Sequence, residues 1–153
     1  MSKLTVRPAE LHDCCYLKDH LRDEHILEIW SFNQLTPEMA LVSSYVVSSC
    51  RYTVILNDTV PIFMFGVTPD IDNTGMVWAL GSKEVDMFKK ECMALSFEWL
   101  PNIMEGYDML FNFIDSRYKK GLIWAERLGA IIHDPIDIGY NGESFNKIEI
   151  RRK

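Results

Sequence analysis

The spacing of apolar residues changes period several times along this chain, and each change marks an element. Leu4-Thr5-Val6-Arg7 is a short β-prone piece. Pro8 then opens a helical pattern in which Leu11, Cys14, Leu17 and Leu21 share one face, with Asp13, Lys18, Asp19 and Arg22 filling the rest, so a helix is predicted from Pro8 to Arg22. From Asp23 to Gln34 the pattern is less regular, with Ile26, Ile29 and Trp30 beside Glu24 and Glu28. Thr36-Pro37-Glu38 supplies a cap, a proline at the first helical position and an acid in the first turn; the helix it opens should run to Ser49. Tyr52 to Leu56 and Val60 to Val67 are then rich in β-branched and aromatic residues. With Asn57-Asp58 between them they predict an antiparallel hairpin, Pro61 lying at an edge or at the start of its strand.

Pro69 to Gly75 is predicted to be a loop, and Met76 to Leu80 a strand apolar enough to be covered on both faces. Gly81-Ser82 ends it, and Ser82 is placed to cap a long helix from Lys83 to Met104 whose apolar face carries Phe88, Cys92, Leu95, Trp99 and Leu100. Met109 to Ile114 is a strand, Ser116 to Leu128 a helix stopped by Gly129, and Ile131-Ile132 and Phe145 to Ile150 are strands around the turn Asn141-Gly142. The order is β-α-α-β-β-β-α-β-α-β-β: an α+β class with a mixed sheet and flanking helices, in one domain over residues 1–153. The strands joined by the long helix should lie parallel.

Composition narrows what such a domain does. A 48% hydrophobic and 25% charged chain supports a packed core. A net charge of −6 gives no help toward phosphate backbones, so nucleic acid is disfavoured as a partner. The cysteines Cys14, Cys15, Cys50 and Cys92 form no C-x-x-C pair, which argues for free thiols, with Cys50 and Cys92 as buried apolar residues and no zinc site. His12, His20 and His25 show no metal-ligand spacing. The polar start and the lack of a long apolar run predict neither a secretory signal nor a membrane span. Arg151, Arg152 and Lys153 read as a solvated basic tail.

Two segments carry a resemblance. Leu4-Thr5-Val6-Arg7-Pro8-Ala9 followed by Asp13, and Phe113-Ile114-Asp115 through Trp124-Ala125-Glu126-Arg127-Leu128-Gly129, resemble the opening and close of GCN5-related N-acetyltransferases (GNATs). Arg7-Pro8-Ala9, Leu21-Arg22 with Glu28, Met64-Phe65-Gly66-Val67, Trp78-Ala79-Leu80-Gly81 and Trp124 with Leu128-Gly129 are similar, more narrowly, to GNAT-like proteins of tailed phages, including the internal virion protein A group. The resemblance implies the GNAT fold and an acyltransferase moving acetyl from acetyl-CoA to an amine on a protein or other acceptor. The alternative it implies is a non-catalytic phage protein acting as a virion component or binding a host protein. Either would work in the host cytoplasm or the virion.

In that family the cofactor's pantetheine arm lies against the strand before the long helix and its pyrophosphate on the turn that follows. The resemblance therefore assigns the cofactor to Ala79, Leu80, Gly81, Ser82 and Lys83. This chain departs from the family's glycine-rich turn: only Gly81 is a glycine, Glu84 and Asp86 stand where phosphates approach, and Lys83, Lys89 and Lys90 are nearby cations. The family's last-helix asparagine and tyrosine fall at Tyr118 and Ala125, and Ala130 replaces the aromatic after Gly129. Tyr118 is thus the candidate acid and Glu28 the candidate base, with Glu24, Asp115 and His133 as further carboxylate or imidazole candidates. Ile29-Trp30-Ser31-Phe32 would suit a protein interface.

Overall fold

The computed structural model describes residues 2–152. A seven-stranded sheet separates two helical layers. Its strands are β1 (Leu4–Pro8), β2 (Cys50–Leu56), β3 (Val60–Pro69), β4 (Thr74–Gly81), β5 (Met109–Asp115), β6 (Ile131–Asp137) and β7 (Ser144–Arg151), in the order β1-β2-β3-β4-β5-β7-β6. All neighbours are antiparallel except β4 and β5, the pair joined by the long helical connection, which is parallel as the sequence predicts.

Strand alternation sends side chains to two separate cores. Val54, Phe65, Val67, Leu110 and Ile150 pack with Ile103 and Met104 beneath the long helix. Met64, Trp78 and Leu80, one residue out of phase, pack with Cys14, Leu17, Leu21 and Leu41 on the opposite face. That double coverage is why β4 reads as an unbroken apolar run.

The helices depart from the sequence reading where side chains compete for the backbone. The segment predicted as one helix from Pro8 to Arg22 forms only α1 (Asp13–Leu17). Pro8 belongs to β1, and the Asp13 carboxylate accepts from the Arg7 guanidinium, the Glu10 amide and the Thr53 hydroxyl, which fixes a turn before the helix. Leu21 leaves the helix to bridge Ser82. The segment read as irregular is a regular α2 (Asp23–Asn33), followed by α3 (Pro37–Val47), whose first turn is capped by the Thr36 hydroxyl as expected. The predicted Lys83–Met104 helix is a 3-10 helix (Lys83–Phe88) followed by α4 (Lys89–Ile103). Ser82 does not cap it; its hydroxyl donates to the Glu84 carboxylate. The last helix, α5, covers Lys119–Arg127.

The predicted loop at 69–75 is shorter, because β3 reaches Pro69 and β4 starts at Thr74, with Asp72 and Asn73 taking positive φ in the turn. Pro61 lies near the start of β3 beside a register shift, where its missing N–H does least harm. β6 continues through Asp137 instead of stopping at Ile132. The basic tail is only partly solvated: Arg151 ends β7, and the Arg152 guanidinium donates to the carbonyls of Met104 and Tyr107, closing the end of α4. Lys153 lies outside the described residues. All four cysteines are free thiols; Cys92 is buried and Cys50 partly so, with burial raising both above the usual thiol range. Among the described residues no helix is long and apolar enough to cross a membrane, and no group of three or more His, Cys, Asp or Glu side chains is arranged to hold a metal ion.

Candidate active site

The two parallel central strands pair only over Thr74–Met109, Gly75–Leu110 and Met76–Phe111, then part. β4 continues five residues to Gly81 held only by β3, and β5 continues to Asp115 held only by β7. A wedge-shaped slot opens between them in the middle of the sheet. Its mark is Ala79, an exposed residue in a central strand.

A strand directs the N–H and C=O of alternate residues to one side. Ser82 donates to Ile62 of β3, so Val77, Ala79 and Gly81 turn their backbone groups toward the slot. Most of that edge is already satisfied by side chains. Asn112 reaches across from β5 and donates to the Val77 carbonyl at 2.5 Å, while its own oxygen accepts from the Phe113 amide at 2.7 Å. The Gly81 amide donates to His25 Nδ1 at 3.1 Å and its carbonyl accepts from the Arg22 amide at 3.0 Å. Opposite, the Asp115 amide donates to Glu28 at 2.9 Å. Ala79 keeps its backbone groups facing the opening.

The end of the link between α1 and α2 and the first turns of α2 close the wide end of the slot. They place Arg22, from the link, and His25 and Glu28, from α2, beside Tyr118, which stands just before α5, and the four side chains line one cavity. Arg22 donates to the Tyr118 hydroxyl at 2.7 Å, and its other terminal nitrogen lies 3.1 Å from Glu24 and 3.2 Å from Asp86. Its buried Nε has no partner among the described residues. Burial, reinforced by Arg22, pulls His25 down to about 4, so the ring is neutral at physiological pH. Because Nδ1 accepts from Gly81, the proton of the neutral ring belongs on Nε2, 3.5 Å from the Tyr118 hydroxyl. That hydroxyl oxygen therefore accepts, and its own proton is left for something else. Burial pushes Tyr118 up to about 12 despite the opposing pull of Arg22, so it stays protonated. Burial likewise pushes Glu28 up to about 7, against the Asp115 amide and helped by the Asp115 charge.

The structure thus brings Tyr118 and Glu28 together. Among the cofactor candidates, Ala79 faces the slot, while Leu80 and Ser82 are buried with their backbone turned to β3. The amides of Gly81, Ser82 and Lys83 are engaged by His25, Ile62 and His20, and the Lys83 side chain lies 3.9 Å from Asp23. Glu84 does not face an empty turn: it accepts from Ser82 and from Tyr16 at 2.6 Å. Glu24 pairs with Arg22. Asp115 is held below the usual carboxylate range by Arg117 although burial opposes it, and His133 pairs with Glu149 at 2.9 Å near the outer edge of the sheet. Of the aromatic run at 30–32, Trp30 is exposed, whereas Phe32 packs on Phe113 and Phe145.

Sequence reasoning missed His25, Arg22 and Asn112 as site residues. Nothing in the spacing of His25 links it to Gly81, fifty-six positions away. It also missed a basic pocket between α4 and α5, where Lys89, Lys90, Lys120 and Arg127 outnumber Asp86.

No protein-family model matches the chain, and no curated protein sequence matches it. Solved structures do. A mutant of the spermidine N-acetyltransferase SpeG from Vibrio cholerae is 14% identical with a TM-score of 0.70, covering 97% of this chain and 93% of that one. YncA from Salmonella typhimurium, with its cofactor acetyl-CoA, is 10% identical with a TM-score of 0.70, covering 97% and 94%. An acetyltransferase of Bacillus subtilis in complex with CoA is 15% identical with a TM-score of 0.65, covering 99% and 100%. The chain has the GNAT fold that its sequence resembles.

Proposed function

We propose that this protein transfers an acyl group from acetyl-CoA to an amine, with Tyr118 as acid and Glu28 as base. The observation that carries this reading is the slot, at whose wide end a protonated phenol and a carboxylate poised near neutrality share one cavity. Three features fit the cofactor. Ala79 directs its backbone into the slot and would pair with the pantetheine arm. The orphaned Arg22 Nε–H is a buried donor in want of an acceptor oxygen. Lys89, Lys90, Lys120 and Arg127 would hold the phosphates, in place of the amides at 81–83, which are engaged within the protein.

Acetyl-CoA, when bound, supplies the acyl group as a thioester. Glu28 takes the proton that the amine sheds as its nitrogen bonds the acyl carbon. Tyr118 gives its proton to the sulfur as the carbon–sulfur bond breaks. Arg22 and neutral His25 hold the phenol in place by donating to its oxygen.

Because Glu28 must be ionised to accept a proton and is held near 7, the rate should rise with pH through about 7 and then level off. Glu28→Gln should abolish that limb and lower turnover by about 10²-fold or more; a pH profile unchanged by the substitution would remove Glu28 from the mechanism. Lys120→Glu with Arg127→Glu should weaken CoA binding by roughly tenfold per charge, and the loss should shrink at high salt. Equal affinity in the variant and the parent would move the phosphates elsewhere.

The direct test is calorimetric titration with acetyl-CoA followed by a screen of amine acceptors. Micromolar binding with turnover on any amine supports the reading. One observation favours the alternative, a non-catalytic scaffold: Asn112, His25 and Glu28 already satisfy most of the slot's edges. Absence of binding at millimolar cofactor would support it and direct attention to a protein partner. The phage-type assignment within this reading rests on the sequence segments quoted above.

A further inference from the structure

The cavity at the slot reaches well beyond the polar end where acyl transfer would take place. From the polar end at Tyr118 and Glu28 it continues beneath the sheet, between β5 and α4, to Ile103 and Ile150 near the closed end of the slot. Beyond the slot its walls are mostly apolar: Phe65, Leu95, Trp99 and Leu100 line it, with Ile148 opposite Asn112 in the strand register. Its volume is about 190 Å³, counting the slot and the polar end together with this apolar part. An unfilled apolar recess leaves its lining short of partner atoms, which an apolar occupant restores.

Resting on the acyltransfer reading, we infer that this cavity receives the hydrocarbon chain of an acyl-CoA longer than acetyl. The occupant is set by continuity and by the apolar walls. The apolar part of the cavity continues from the slot where the thioester would lie against Ala79 and Tyr118, and residues such as Phe65, Leu95 and Trp99 fit a hydrocarbon chain. A chain entering from the slot passes Asn112, whose side chain spans the gap to Val77 and stands at the threshold between the polar and the apolar parts.

The test is calorimetric titration of the full chain with CoA, acetyl-CoA and hexanoyl-CoA. Hexanoyl-CoA should bind at least tenfold more tightly than acetyl-CoA. Two variants that narrow the cavity from different walls, Leu95→Phe and Ile148→Phe, should each remove that preference and leave acetyl-CoA affinity within about threefold of the parent. With two independent variants, misfolding of one leaves the other as the test, and circular dichroism identifies it. Equal affinity for the two thioesters, with CoA itself binding, would overturn the chain-length inference alone. A hexanoyl preference that survives both substitutions would also overturn it, since the chain would then lie elsewhere. No binding of CoA or either thioester would overturn the acyltransfer reading and this inference with it.

Discussion

Tyr118→Phe should lower acyl-transfer turnover by about 10²- to 10⁴-fold, the range that a positioned general acid contributes. Cofactor affinity and fold should be nearly unchanged. The phenol oxygen accepts from Arg22 and lies 3.5 Å from the Nε2 of neutral His25, so its own proton points to neither. Burial holds that proton on the oxygen through the working pH range. Phenylalanine keeps the ring, which packs edge-on against His25 and sits directly over Gly121, where even one added carbon would lie 2.6 Å from it. The loss should therefore fall on kcat, with KM little altered. Steady-state kinetics and a calorimetric titration measure the two separately. Turnover within about threefold of the parent would show that the proton comes from elsewhere.

Asp13→Ala should produce the largest loss of stability. The carboxylate is fully buried and accepts from Arg7 at 2.8 and 2.9 Å, from the Glu10 amide at 2.9 Å and from the Thr53 hydroxyl at 2.7 Å. Breaking a buried pair costs about 3–5 kcal/mol. The Arg7 side chain is 34% exposed, and screening reduces the expected cost here to about 2–4 kcal/mol. For a chain of this length that corresponds to a fall in Tm of roughly 5–15 °C by calorimetry. The pH dependence follows. Burial alone would raise the Asp13 carboxyl, but Arg7, the Glu10 amide and Thr53 outweigh it and hold it below its ordinary value of 3.8. Its contribution is thus complete above that value and lost as pH falls through the lower folded value. The variant and parent should converge in stability at strongly acid pH; a constant difference down to pH ~2 would mean the loss is packing and not charge.

The elements legible in the sequence are those decided by short-range chemistry. Thr36-Pro37 fixes the start of α3, and Asn57-Asp58, both at positive φ, fixes the hairpin. Gly129, at φ 92°, ends α5 in a conformation that other residues resist. Runs rich in β-branched, aromatic and other apolar residues locate the strands, although β6 extends to Asp137, well past the Ile131-Ile132 that marks it in the sequence. What failed was decided by distant partners. Leu21 has helical spacing from Leu17 but bridges Ser82. Ser82 has the residue type of a cap, but its hydroxyl bonds Glu84, whose carboxylate also accepts from Tyr16, sixty-eight positions away. The site divides in the same way. Tyr118 and Glu28 follow from the family resemblance laid onto this chain, and they share a cavity. The partners that set their behaviour come from segments remote in the chain: Arg22 lies ninety-six positions from Tyr118, and the Asp115 amide eighty-seven from Glu28. Spacing rules act over a few turns of helix or strand and contain no information about such pairings.

The side chains that close the slot also set how its amides trade hydrogen with solvent. Elsewhere in the sheet, an N–H held by a neighbouring strand is released only when the strands separate. The amides of Gly81, Phe113 and Asp115 are instead held by His25, Asn112 and Glu28, and each is freed when a single side chain changes rotamer. These three positions should therefore exchange much faster than strand-held neighbours such as Leu110 and Ile148, and the contrast is cleanest for Gly81 and Asp115, which are buried as those are, leaving a line of rapid exchange through the centre of the sheet.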